Sequence, residues 1–307
     1  MTRTQSRSSR APVFLAVLFC VATAARMAGA QTAEPWPKLS AQQQAEAISQ
    51  LKDFANQTQS TLKRPLNAFE TKYFLFCSDL KPQEAQNWAG LLDRMYVKLA
   101  EMFAVPKGEN IWRGKALIFV FSRADDYRRY EKEMMHTDPT GTAGMCHASS
   151  NGIVRIAFYR QKDALNFAHV LVHESVHGFL HRYRTPVNIP SWANEGLAET
   201  IATDLVPQSG RRNEVITQAR ENMRQHGGDL GEFFTTDHIE GWQYPVAETL
   251  CTFMIQNGKR NYVNFINGIK DGLSWRDSLD EKYQAPVERL VRVFGNQLGV
   301  RGLRAKY

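Results

Sequence analysis

An α+β domain is what this 307-residue sequence predicts, on three observations. Apolar runs of strand length fall between residues 70 and 160. Within them an Asn151-Gly152 pair separates two strand-like stretches. From Gln161 onward every apolar pattern has helical spacing. Strands first and helices after is the order of an α+β fold. A composition 43% hydrophobic and 22% charged excludes a disordered tail, a collagen-like fibre and a low-complexity scaffold. There are no internal repeats.

The first residues form an address. Residues 1–10 are polar with Arg3, Arg7 and Arg10, residues 11–25 (APVFLAVLFCVATAA) are apolar, and Ala28-Gly29-Ala30 offers a small-residue cleavage site before Gln31. That order describes a signal peptide over 1–30 and a periplasmic or extracellular protein. An uncleaved anchor is the alternative, but fifteen apolar residues fall short of the about 20 a spanning helix needs. No later segment is long and apolar enough, so no stable membrane span is expected after cleavage. Net charge is +7 from 38 basic and 31 acidic residues. Four arginines and no acid lie in 1–30, leaving 34 against 31, or +3 over 277 residues. So even a balance gives no support to nucleic-acid binding.

Residues 31–69 read as a lead-in and a helix ahead of a domain over 70–300. Ser40 and Gln43 make a capping box, and Ala45, Ile48, Leu51, Phe54 and Ala55 form an apolar stripe. The helix is either a propeptide or packed on the domain, and the stripe favours packing. Strands are expected at 72–78 and 115–121, with a helix at 83–103 between them and a short helix capped by Ser122 and Asp125 after them. A hairpin is expected to turn at 149–152, the Asn-Gly pair being the strongest short hairpin signal. Helices follow at 162–183, 191–204, 211–226, 242–257, 261–270 and 285–297, broken by Pro186, Pro190, Gly227-Gly228, Gly258 and Gly272.

Cys20 leaves with the leader, and Cys77, Cys146 and Cys251 remain in an oxidising compartment. Three thiols allow one bridge. If one forms, Cys77–Cys146 is the expected pair. Cys251, between Leu250 and Phe253, has the surroundings of a core thiol.

The chemistry begins at His173-Glu174-Ser175-Val176-His177, an H-E-x-x-H motif in the first helix after the hairpin. Positions i and i+4 share one helix face, so two imidazoles can ligate one Zn²⁺. Glu174 then points beside the metal, placed to take a proton from a water activated there. The motif arises by chance in roughly one chain of this length in a hundred. His169 and His181 extend the same row, so a merely histidine-rich face is the competing reading. A second element decides between them. Seventeen residues separate His177 from Glu195, and Glu199 follows one turn later. One of these can fill the metal's third protein position. The other can hydrogen-bond the far nitrogen of a ligand imidazole, fixing its tautomer. Two His and one Glu leave an open fourth position, the geometry of a catalytic zinc.

HESVHG followed by PSWANEGLAE resembles the gluzincin clan of zinc metallopeptidases, which includes thermolysin. It is most similar to the peptidase MA-like domains of exported bacterial proteins of unknown function. The resemblance covers about 70–297 and is sharpest over 169–199. It implies a zincin-like fold with a small N-terminal mixed sheet, an active-site helix and a helical C-terminal half. It further implies one Zn²⁺ on His173, His177 and Glu195, Glu174 as general base, and Glu199 behind His173. In that fold the hairpin, here within 142–158, supplies an edge strand along the cleft. The G-x-M-E-N element of exopeptidases and the third histidine of metzincins are absent. A donor facing the developing oxyanion is expected from Tyr244, His226 or His238. Tyr244 opens a helix that crosses the cleft in the resembled family, although a tyrosine capping a core helix would look the same.

The function expected is a secreted zinc metalloprotease acting on a peptide or protein substrate. A non-catalytic zinc-binding envelope or partner-binding module on the same fold is the alternative, as is a metallohydrolase acting on another bond.

Overall fold

The computed structural model describes residues 34–307, so the signal peptide expected over 1–30 lies outside the described residues. In chain order the elements are α1 (Ala41–Leu62), β1 (Asn67–Glu70), β2 (Phe74–Ser78), α2 (Pro82–Met102), β3 (Ala116–Phe121), α3 (Ala124–Glu133), β4 (Gly144–Ala148), β5 (Val154–Tyr159), α4 (Ala164–Arg182), α5 (Ser191–Leu205), α6 (Arg211–Gln225), α7 (Tyr244–Lys270), α8 (Trp275–Ser278) and α9 (Val287–Gln297). The five strands make one mixed sheet in the order β1-β2-β3-β5-β4. Its outer pairs are antiparallel and its inner pairs parallel. Everything after β5 is helix and loop apart from a single bridge between Asp229 and Arg304. The fold is α+β. No helix among the described residues is long and apolar enough to cross a membrane.

Strands β2 and β3 are buried along their whole length because both sheet faces are covered. Phe74, Phe76, Ile118, Val120, Ile156 and Phe158 face the core shared with α2 and α4. Leu75, Cys77, Leu117, Phe119, Met145 and Ala157 face Leu51, Ala55 and Leu62 of α1 and Tyr127 and Tyr130 of α3. Helix α1 is therefore packed on the sheet, and the Ser40–Gln43 capping box is formed at its start.

This topology overturns the Cys77–Cys146 pairing. All three cysteines of the described residues are buried, and no disulfide joins any two of them. Cys77 on β2 and Cys146 on β4 have β3 and β5 between them and face opposite sides of the sheet. Three strand spacings of about 4.8 Å place them far beyond the roughly 7 Å limit for bridged Cα atoms. Cys251 is the core thiol expected, within 3.6 Å of the Tyr262 hydroxyl.

Several boundaries also differ. Strand β1 was not expected; its NAFE sequence is mostly exposed, with Phe69 its main packing residue. The cap foreseen at Ser122 does not form, since Ser122 donates its hydroxyl and its N–H to Asp79 instead. The helices expected at 242–257 and 261–270 run together as α7 across a non-helical Gly258.

Helix α4 is the axis of the molecule. Asp163 caps it by accepting the N–H groups of Leu165 and Asn166, and every residue from Phe167 to Leu180 is buried. Gly178, just after the motif, lets it lie against the hairpin: a Cβ there would sit 2.8 Å from Val154 Cγ1 and 3.5 Å from Cys146 Sγ. Edge strand β4 thereby runs beside the motif.

Helix α5 is pinned by Trp192, which enters the core and stacks on Phe265. At Gly196 it meets α7 so closely that a Cβ would fall 2.4 Å from the Ala247 carbonyl oxygen. A backbone oxygen cannot rotate away. Gly196→Ala is therefore expected to lower the urea midpoint by the equivalent of about 1–3 kcal/mol. An unchanged midpoint would show that the two helices separate freely.

Candidate metal centre

His173 and His177 lie one turn apart on α4, and Glu195 reaches them from the first turns of α5. His173 Nε2 and His177 Nε2 are 3.0 Å apart, and Glu195 Oε2 lies 3.2 and 3.5 Å from them. Ligands at 2.0–2.1 Å on a tetrahedral ion are separated by about 3.3–3.4 Å, so three edges of such a tetrahedron are present. The protonation pattern fits as well. His177 Nδ1 is 3.1 Å from Asn194 Oδ1, an oxygen that can only accept, so Nδ1 carries the proton. His173 Nδ1 faces Glu199 Oε1 at 3.2 Å, although out of line for a good hydrogen bond. Both Nε2 atoms point to the same spot, where a metal would take the place of the proton that the neighbouring carboxylates favour on His173. Glu195 Oε2, also buried there, makes no hydrogen bond. Three ligand-type atoms converge in a buried space, an arrangement that could hold a cation.

Electrostatics point the same way. Burial pulls the His173 imidazole down, yet contacts with Glu195 and Glu199 outweigh it and hold the group well above the imidazole range. Burial likewise opposes charge on Glu195, but His177 and His173 bring that carboxyl down to about 2. The site is organised around positive charge.

Glu174 lies beside the three atoms without joining them. It is buried, and burial raises its carboxyl above the usual range despite both histidines and a hydrogen bond from the Cys146 backbone. Its Oε1 has no hydrogen-bond partner. Gly144 of β4 leaves room for it, since a Cβ there would be 3.3 Å from Glu174 Cγ. Tyr244, at the start of α7, is close enough that Glu195, Glu174 and Glu199 add to the burial that raises its hydroxyl. His226 is exposed and stacked on Trp242, 3.7 Å between ring centroids, and His238 is exposed in a loop.

The histidine row of α4 is divided among three tasks. His173 and His177 converge with Glu195, His181 Nε2 meets the Ser149 carbonyl at the hairpin turn, and His169 Nε2 lies 2.7 Å from Glu199 Oε2. Sequence reasoning missed Asn194, Arg211 and Glu248 altogether. Asn194 had a signal, standing directly before Glu195. Arg211, at the start of α6, and Glu248, in α7, had none. The hairpin's His147 is tied to Glu131 of α3 at 2.7 Å, away from the centre.

Glu248 sits behind the site, accepting a hydrogen bond from Thr203. Burial and the charge of Glu199 push its carboxyl up to about 7. The folded chain thus keeps this proton up to about pH 7, whereas the unfolded chain releases it near 4.5. Between those values the folded state binds more protons, so this group's contribution makes stability fall as pH rises. In chelator, Glu248→Gln should match the wild type near pH 4.5 and exceed it by on the order of 3 kcal/mol at pH 8. Denaturant melts at both pH values test this; a constant difference would show that Glu248 does not titrate there.

Compared with known proteins, the chain matches no family model and no curated sequence.

Proposed function

We propose that this chain is an exported zinc metallopeptidase of gluzincin type that hydrolyses peptide bonds. The observation that carries the reading is the convergence of His173 Nε2, His177 Nε2 and Glu195 Oε2 at 3.0–3.5 Å, with the unpartnered Glu174 Oε1 beside them. Bound zinc would supply Lewis acidity, polarising the scissile carbonyl and acidifying a water. Glu174 takes the proton of the attacking water and passes it to the leaving amine. Its raised affinity for protons suits a group that must both accept and donate near neutrality.

A peptide is favoured as substrate by the strand beside the motif. Tyr159 N–H donates to the Ala143 carbonyl and Ser149 N–H to that of Ile153, so odd-numbered residues of this stretch bond toward β5. Gly144, Cys146 and Ala148 turn their backbone groups away from β5; the Cys146 N–H is given to Glu174, which leaves the groups of Gly144 and Ala148 as those that could pair with an extended chain. Profiling the zinc-loaded protein on a broad peptide library, with and without chelator, tests the reading. Chelator-sensitive cleavage is expected. A zinc-replete protein that cleaves nothing would make the chain a non-catalytic zinc-binding module.

Tyr244 is the candidate donor to the carbonyl oxygen as it gains negative charge. Tyr244→Phe keeps the ring and removes one hydroxyl, so kcat should fall by about 10²–10³ with KM little changed. A wild-type rate would remove Tyr244 from the chemistry.

A further inference from the structure

His169, Glu199 and His173 form a second cluster of ligand-type side chains that shares His173 with the first. Its geometry is that of a clamp. Glu199 Oε2 takes a hydrogen bond from His169 Nε2 at 2.7 Å and meets Arg211 Nη2 at 3.2 Å. The other oxygen, Oε1, lies 3.2 Å from His173 Nδ1, a charge contact and not a well-aligned hydrogen bond. A guanidinium against the carboxylate already supplies the positive charge a metal would bring, and it stands where a second cation would be repelled. His169, Glu199 and Arg211 come from three helices, α4, α5 and α6, so Glu199 is held by donors on α4 and α6 while Oε1 faces His173, also on α4.

We propose that His169 and Arg211 are positioning residues of the metal centre: by clamping Glu199 Oε2 they aim Oε1 at His173 Nδ1 and so fix the direction of His173 Nε2. The carboxylate alone could rotate about its terminal torsion, which is soft. With Oε2 bound by two donors that rotation is lost, and the imidazole faces a fixed partner. Orientation of a ligand by the groups behind it commonly changes metal affinity by 10–100-fold. The inference rests on zinc being held by His173, His177 and Glu195.

Competitive chelator titration on the full mature protein tests it, using His169→Gln, Arg211→Ala, Glu199→Ala and the double variant His169→Gln/Glu199→Ala. His169→Gln should weaken zinc binding by roughly tenfold, and should weaken it no further once Glu199 is alanine, because it acts only through that carboxylate. Losses that simply add in the double variant would overturn the clamp. Arg211 is partly exposed, so its removal is not expected to unfold the protein and keeps the test open if His169→Gln does. Arg211→Ala should cost about two- to fivefold, the scale of an exposed ion pair, and Arg211→Lys should recover part of it. The visible absorption of the cobalt-substituted protein should change in His169→Gln, as expected for a turned ligand and not for mere loss of stability. Unchanged affinity and cobalt spectrum in a wild type that binds one zinc and cleaves peptides would overturn the clamp alone. A wild type that takes up no zinc would remove the metallopeptidase reading and the clamp together. Two zinc ions per wild-type chain, falling to one in His169→Gln, would make this cluster a second metal site and overturn the clamp.

Discussion

Glu174→Gln is expected to keep close to one zinc per chain and to lose about 10²–10⁴ in kcat/KM. The separation follows from position. The three converging atoms belong to His173, His177 and Glu195, and Glu174 is not among them. Glutamine has the same shape, so its oxygen can still accept the Cys146 N–H and its methylenes still rest against Gly144. It cannot take a proton at neutral pH. Metal content measured beside steady-state kinetics distinguishes the roles. If zinc and activity fell together, Glu174 would be a ligand and the assignment of base and ligands would have to be redrawn.

What the sequence disclosed depended on how far the determining partners lay apart. Ser40 and Gln43, or His173 and His177, are neighbours in the chain, and helix geometry alone brings them together. The Asn-Gly turn is equally local, and Gly152 adopts φ +82°, a conformation glycine takes without strain. The PSWANEGLAE stretch is readable in the same way once it is a helix: Trp192 goes to the core, Glu195 and Glu199 to the histidines, and Gly196 to α7. Contacts between distant helices left no such trace. Nothing near Glu248 indicates that it stands behind Glu199, and Arg211 looks like any basic residue opening a helix. Strand order was hidden for the same reason, because an apolar run buried on both faces carries no mark of its neighbours. The Cys77–Cys146 error came from there, as did the missing β1. Ser122 failed as a cap because Asp79, more than forty residues earlier, competes for its hydroxyl.

Glu195→Ala is expected to abolish tight zinc binding, and the consequence should be visible in stability as well as in titration. Its Oε2 is the third converging atom, and losing it leaves two imidazoles with no carboxylate to offset the charge of the ion. A ligand that binds only the folded state stabilises it by RT ln(1 + [L]/Kd), about 4 kcal/mol at a thousandfold excess over Kd. That zinc-induced increment, measured by denaturant melts with and without metal, should be present in the wild type and missing in Glu195→Ala. Taking the difference within each variant removes whatever the substitution does to the metal-free fold. Glu199→Ala is the comparison that makes the result specific. Glu199 touches His173 on the side away from Glu195, so its loss should weaken zinc by roughly 10–100-fold and shrink the increment by about 1.4–2.7 kcal/mol without erasing it. Should Glu199→Ala prove the more severe of the two, the ligand role passes from Glu195 to Glu199. The centre would then be built on His169, His173 and Glu199, the other geometry these helices offer.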